Sequence, residues 1–196
     1  MKKSNGFKKI DIAVFISGNG SNLKNLIEVS FKRNSKFRIG LIVSSNKKAK
    51  GLKYSKKFKI KKLIVNYKNL KTNKSENLIL INLKKYKIQL ICLAGFMKIL
   101  SKKFINKFNG EILNIHPSLL PKYKGLNTHE KAITNNDKYS GCTVHFVDSK
   151  LDSGKIILQK KVKIFKKDDV KSLASKILKQ EHLLYPKALS KVLTNL

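Results

Sequence analysis

Asn114 and His116 stand two apart in the run Glu111-Ile112-Leu113-Asn114-Ile115-His116-Pro117. The run alternates and is apolar enough for a buried strand, on which residues two apart share a face. Pro117 disfavours helical geometry at His116 and cannot continue a central ladder, so the pair sits where the strand runs out. An amide and an imidazole side by side suit a developing oxyanion. Asn supplies a fixed N–H dipole, and His supplies a donor or, when charged, a full counter-charge. In parallel α/β sheets that end of a strand is where ligands bind. Asn-x-His-Pro has little specificity alone, and a strand stopped by proline is the plainer reading of it.

A second group is the loop Ser17-Gly18-Asn19-Gly20-Ser21-Asn22, which follows a strand-like run and opens a helix-like one. Its glycines permit a tight turn, and the N–H groups of Gly20, Ser21 and Asn22 suit an anion such as a phosphate at the positive end of a helix. It is neither a dinucleotide fingerprint nor a Walker loop, because the third glycine and the Gly-Lys-Ser/Thr are missing. As an isolated motif it fits a plain strand–helix turn equally well. A third is Asp152, in Leu151-Asp152-Ser153-Gly154. Asp two before Gly is ordinary turn chemistry. If the loop folds over the strand end, though, the carboxylate reaches His116, orients the ring and favours its charged form. His145 shares a strand face with Thr143 and Val147 and is a weaker candidate for the site; His129 reads as an exposed residue at a helix start. No set of His, Cys and acids has metal-ligand spacing, so no metal is expected. No Gly-x-Ser-x-Gly elbow is present.

The elements that must position these groups follow from periodicity. Strands are expected over residues 11–17, 37–44, 59–65, 88–94 and 111–116, with helices near 21–32, 49–58 and 73–86 between them. Alternation of this kind means a parallel, twisted sheet flanked by helices. After residue 116 a short helix from Thr128 precedes two paired strands over 142–147 and 155–164. A long helix over 170–192 then has Val170, Leu173, Ala174, Ile177, Leu178, Leu184, Ala188, Leu189 and Val192 on its inward stripe. Glu181 falls within that stripe, where a carboxylate is costly unless it meets a partner or lines a cavity. The expected architecture is one α/β domain over residues 1–196 with an antiparallel extension, residues 1–9 forming a ragged basic lead-in.

The chain has 44 basic and 11 acidic residues, a formal net charge of +33. Such a charge argues for nucleic acid or another anionic surface. Yet only Arg33 and Arg38 are arginine, the residue favoured for specific phosphate and base recognition. The lysines are spread along the whole length, as a bias toward A/T-rich codons would leave them. The expectation is therefore no specific nucleic-acid partner, weak non-specific binding at low salt, and attraction of anionic small substrates. No apolar run reaches the length of a membrane span, and no signal-peptide pattern precedes residue 10. With two cysteines, Cys92 and Cys142, reduced thiols in the cytoplasm are expected.

Taken together, Ser17–Leu23, Leu93-Ala94-Gly95-Phe96-Met97-Lys98-Ile99-Leu100-Ser101, Asn114–Pro121, His145-Phe146-Val147, Leu151–Gly154 and Gln180-Glu181-His182 before Tyr185-Pro186 closely resemble the folate-dependent phosphoribosylglycinamide formyltransferases. The likeness runs from about residue 10 to residue 190. The resemblance implies a single-domain, Rossmann-like fold and transfer of a formyl group from 10-formyltetrahydrofolate, as co-substrate, to the amine of phosphoribosylglycinamide. It implies that Asn114, His116 and Asp152 are catalytic, that Gly20, Ser21 and Asn22 hold the phosphate, and that Glu181 holds the ribose hydroxyls. Met97, Lys98, Ile99, Leu100, Asn114 and Val147 line the folate slot, and the Leu120–Pro121 bond is cis. It also implies small-molecule substrates, no membrane partner, and a monomer or weak homodimer. The family's folate-binding arginine aligns with Thr72, so Lys71 or Lys74 would have to replace it; Asn127 stands where the family often has histidine. Two rivals share the catalytic trio, a methionyl-tRNA formyltransferase and a formyltetrahydrofolate hydrolase. A basic nucleic-acid-binding protein is a third, but the aromatics that should interleave with clustered basic residues are not found.

Overall fold

The structure, a computed structural model, describes residues 9–67 and 72–194. Nearly all of the basic lead-in and Lys71 lie outside the described residues. In chain order the elements are β1 (Ile10–Ile16), α1 (Ser21–Ser30), β2 (Phe37–Ser44), a 3₁₀ turn (Lys50–Leu52) leading into α2 (Lys53–Lys57), β3 (Lys61–Ile64) and α3 (Thr72–Lys85). Then come β4 (Leu90–Leu93), α4 (Lys102–Lys107), β5 (Glu111–His116), α5 (Thr128–Thr134), β6 (Tyr139–Phe146), β7 (Ile156–Lys163) and α6 (Val170–Thr194).

The strands form one seven-stranded sheet in the order β3-β2-β1-β4-β5-β6-β7. Contacts among β1 to β5 are parallel, whereas β5–β6 and β6–β7 are antiparallel. The strand order reverses between β1 and β4, and at such a switch point the loops above neighbouring strands diverge and leave a crevice at the carboxyl ends. The expected mixed, Rossmann-like sheet is what forms. The short helix α4 is not evident from periodicity because it has six residues. It is set by its N-cap, where the Ser101 hydroxyl accepts from Phe104 N at 3.1 Å. Buried Glu76 of α3 in turn accepts from the Ser101 amide at 2.8 Å and from its hydroxyl.

The continuous apolar run of β1 is explained by burial on both faces. Ile12, Val14 and Ile16 pack with Leu23, Leu26 and Ile27 of α1 and with Leu173, Ile177 and Leu189 of α6. Ala13 and Phe15 point the other way, into a core with Ile79 and Leu83 of α3 and Phe104 of α4. On α6 the expected inward stripe divides. Leu173, Ile177, Leu184, Ala188, Leu189 and Val192 are buried. Val170, Ala174 and Leu178 instead line a cavity with Glu181, because the helix runs past the edge of the sheet's crevice as well as over its face.

Tyr185 is the largest fully buried side chain on this helix. Its phenol is shared between the Leu93 carbonyl at 3.0 Å and the Leu113 carbonyl at 3.1 Å. It thus ties α6 to the two strands whose ends carry the site. Tyr185→Phe is expected to cost about 1 kcal/mol and to lower Tm by about 2–4 °C; an unaltered thermal melt would show that this tie contributes nothing.

Candidate active site

The crevice at the switch point is a cavity of about 990 Å³. Gly20, Ser21, Asn22, Met97, Lys98, Ile99, Leu100, Asn114, His116, Val147, Asp152 and Glu181 all line it. These residues come from five separate stretches, the loop into α1, the turn after β4, the end of β5, the β6–β7 loop and the middle of α6, which meet at one edge of the sheet.

On one side the cavity meets the N-terminus of α1. Gly20 is its N-cap in the left-handed region (φ 71°), and no side chain caps it. The first-turn amides therefore keep their N–H groups for a ligand. This turn is tight for a reason outside the loop. Gly51 donates its N–H to the Gly18 carbonyl at 3.0 Å. A Cβ on Gly51 would lie 2.7 Å from Ile16 Cδ1 and 3.0 Å from Gly20 Cα, so a second glycine is needed where the loop backs onto the turn before α2. Ser17 locks the base of the loop, with hydroxyl contacts of 2.6 Å to Ser45 Oγ and 2.8 Å from the Met97 amide. Beneath the loop, Asn22 Nδ2 donates to Glu181 Oε2 at 2.7 Å. Asn22 Oδ1 is buried and has no hydrogen-bond partner among the described residues. Glu181 is also buried, and burial, opposed by the Asn22 bond, pushes its carboxyl up to about 7. The pair therefore presents acceptor capacity to hydroxyl donors entering the cavity.

The opposite side holds the polar cluster. Asp152 reaches in from the β6–β7 loop: its Oδ2 lies 3.4 Å from His116 Nδ1 and its Oδ1 3.6 Å from His145 Nε2. The carboxylate also accepts from the Gly125 amide at 2.8 Å. Asp152 sits at φ 47°, a left-handed conformation that Asp tolerates better than most residues. His116 Nε2–H donates to the Tyr123 carbonyl at 2.8 Å, which leaves Nδ1 as the nitrogen facing the acid. Asn114 Nδ2 is 3.2 Å from His145 Nε2 and 3.5 Å from Asp152 Oδ1. Burial drives the Asp152 carboxyl up, but its contacts with His145 and the Gly125 amide and the nearness of the His116 ring outweigh it and hold the carboxyl below its ordinary value. The acid therefore stays ionised across the neutral range.

A sequence profile of the formyl transferase family matches residues 10–189. The chain belongs to the formyl transferase family. Over 186 residues it is 41% identical to the human trifunctional purine biosynthetic protein adenosine-3, covering 94% of this chain but only 18% of that protein. A phosphoribosylglycinamide formyltransferase of Haemophilus influenzae is 42% identical over 176 residues, 89% of this chain and 83% of the relative. The crystal structure of the phosphoribosylglycinamide formyltransferase from Brucella melitensis superposes with a TM-score of 0.90 at 39% identity, covering 95% of this chain and 96% of that one.

The rest of the cavity is a groove between the β4 and β6 ends. Met97 and Ile99 are exposed there, 62% and 72%, whereas Leu100 lines the wall from within the core. Among the described residues neither Thr72 nor Lys74 lines the cavity, and Lys98 and Lys150 are the lysines that do. The Leu120–Pro121 bond is cis, as the family resemblance implies. Three participants are underrated by sequence. His145 is 2% exposed and in the centre of the cluster, because antiparallel pairing sets it directly opposite Asn114. His129 is half-buried and lines the cavity rather than facing solvent, and burial together with the charge of His116 lowers its pKa. Gly51 carries no signal until the loop is folded against it. Among the described residues no group of His, Cys, Asp and Glu is arranged to hold a metal ion.

A carboxyl raised by burial favours the fold when neutral, so Glu181 contributes most below the ordinary carboxylate range and that contribution is lost as pH rises through about 7. Glu181→Gln keeps an acceptor for Asn22 without the charge. It is expected to melt about 5 °C above the parent at pH 8, with the difference closing toward pH 5. Equal melts at pH 8 would show that the carboxyl is not raised.

Proposed function

We propose that the protein transfers the formyl group of 10-formyltetrahydrofolate to the amine of 5-phosphoribosylglycinamide, a step of purine synthesis. The observation that carries the reading is the placement of an open helix N-terminus and a buried carboxylate on one side of a single cavity, with an Asn–His–Asp cluster on the other. That combination suits a phosphosugar carrying a nucleophile and an acyl donor held beside it. The amides of Gly20, Ser21 and Asn22 take the phosphate, and Glu181 takes the ribose hydroxyls. Met97, Lys98, Ile99, Leu100, Asn114 and Val147 take the folate, with Lys98 and Lys150 offered to its anionic tail as point charges.

The neutral amine attacks the formyl carbon, and the carbonyl oxygen becomes an oxyanion beside the Asn114 N–H and a protonated His116. Asp152 keeps His116 protonated and orders a water that carries the amine proton to the folate nitrogen as the bond from carbon to that nitrogen breaks. Holding the two substrates together supplies up to about 7–11 kcal/mol of the barrier reduction. No covalent enzyme intermediate is required. The ring geometry supports these roles, since Nε2 is committed to the Tyr123 carbonyl and Nδ1 lies 3.4 Å from Asp152 Oδ2 on a ring that lines the cavity. The protein is read as a cytoplasmic monomer or weak homodimer with small-molecule substrates and no specific nucleic-acid or membrane partner. The buried free thiols of Cys92 and Cys142 support a reducing compartment. No helix of the described residues is long and apolar enough to cross a membrane.

Purified protein with 10-formyltetrahydrofolate is offered the ribosylglycinamide, a formylatable tRNA, or water alone. Rapid formylation of the first acceptor is expected; preference for the tRNA or for water would replace this reading with one of the two related activities. Asp152→Asn is expected to lose about 100-fold or more in kcat, while KM for the ribosylglycinamide stays within about threefold because binding does not use the acid. Near-parental turnover in that variant would remove Asp152 from the mechanism.

A further inference from the structure

His145 stands beside Asn114 and Asp152 but has no part in the reaction as described above. Its two nitrogens have different partners, and those partners fix its state. Nδ1 lies 2.7 Å from the Phe146 carbonyl, which can only accept, so Nδ1 carries the hydrogen. In the neutral ring Nε2 is then a bare lone pair, 3.2 Å from the Asn114 side-chain nitrogen. That nitrogen is also 3.5 Å from Asp152 Oδ1, a second acceptor on the same side. Turning the Asn114 amide over would set its oxygen against both acceptors, which repel it. One N–H is spent on this side, and the second stays available to an acceptor in the cavity that Asn114 lines.

We infer that His145 is a positioning residue for formyl transfer: its Nε2 lone pair selects the amide orientation in which Asn114 offers an N–H, not a carbonyl, to the developing oxyanion. The inference rests on the functional reading above and adds a residue to it. The pair is fixed by strand register, since Asn114 and His145 are directly opposed across β5 and β6. Residues opposed in this way project side by side from one face of a sheet. His145 itself has little freedom to leave, being 2% exposed and anchored through Nδ1.

The test is steady-state kinetics on His145→Gln, which keeps an acceptor at about the reach of Nε2, and His145→Leu, which keeps bulk but no acceptor. His145→Leu is expected to lose about 10–100-fold in kcat, with KM for both substrates within about threefold, because the fault appears only in the transition state. His145→Gln is expected to retain most of kcat. In an Asn114→Ala background the Leu change should cost less than about threefold, since the donor it orients is already gone. A folded His145→Leu with parental kcat, or equal losses in the Gln and Leu variants, would overturn the inference. If the Leu variant does not fold, ¹⁵N spectra of the parent decide: an unprotonated Nε2 coupled to an Asn114 amide proton is expected, and a protonated Nε2 in the neutral ring overturns the assignment. A parent that turns over the ribosylglycinamide while these tests fail loses only the role of His145. A parent that does not formylate it removes the functional reading and this inference together.

Discussion

Asp152 is 8% exposed at its side chain and lies between two imidazoles, and the rest of the site is organised to keep its charge there. A buried carboxylate is tolerated only when donors or cations face it from every side. Here Gly125, Asn114 and His116 do so, and they come from a loop and the end of β5. The left-handed backbone at Asp152 carries a strain of order 1 kcal/mol or more that these contacts offset. The same contacts bind the 148–154 loop to the 117–127 loop, helped by the bond from Lys124 Nζ to Ser153 Oγ at 2.6 Å. The geometry of the acid cluster and the order of the two loops are therefore one structural fact.

The two sides of the cavity solve opposite electrostatic problems. At the α1 end, no acidic residue sits in the first helical turn, so the helix dipole and free amides meet an incoming anion unopposed. Just below, Glu181 is buried with one amide donor and no cation among the described residues bonded to it, and so holds its proton up to about neutral pH. At the β5 end Asp152 is surrounded by donors and loses its proton easily. Two carboxyls on one cavity are thus driven in opposite directions by their surroundings, one toward hydroxyl recognition and the other toward holding a charge. The +33 net charge adds a long-range attraction for anionic substrates, which salt weakens.

Much of this was legible in the chain. β1, β2 and β4 announced themselves as apolar runs because both of their faces are covered, and β5 as a strand cut off by Pro117. The Gly18–Asn22 loop, the Asn114–His116 pair and the misplaced acid Glu181 were each visible as residue types in unusual places. What each was for could not be read singly. Glu181 and Asn22 are 159 residues apart and meet only because α6 crosses α1. The α6 stripe misled at Val170, Ala174 and Leu178, since periodicity records which side of a helix is apolar but not whether core or cleft lies beneath it.

Local sequence was enough for the order of the seven strands and of the helices other than α4, for the polar residues at strand ends, and for the helix start that can take an anion. These depend on local backbone sterics and on repeats of two or 3.6 residues. Tertiary structure alone decided that His145 stands opposite Asn114, that Asp152 turns inward between two rings, and that Gly51 must leave room for Gly20. Each of those depends on strand register or on the approach of two distant segments, and a one-residue slip along a strand turns a side chain to the other face without altering the local pattern at all.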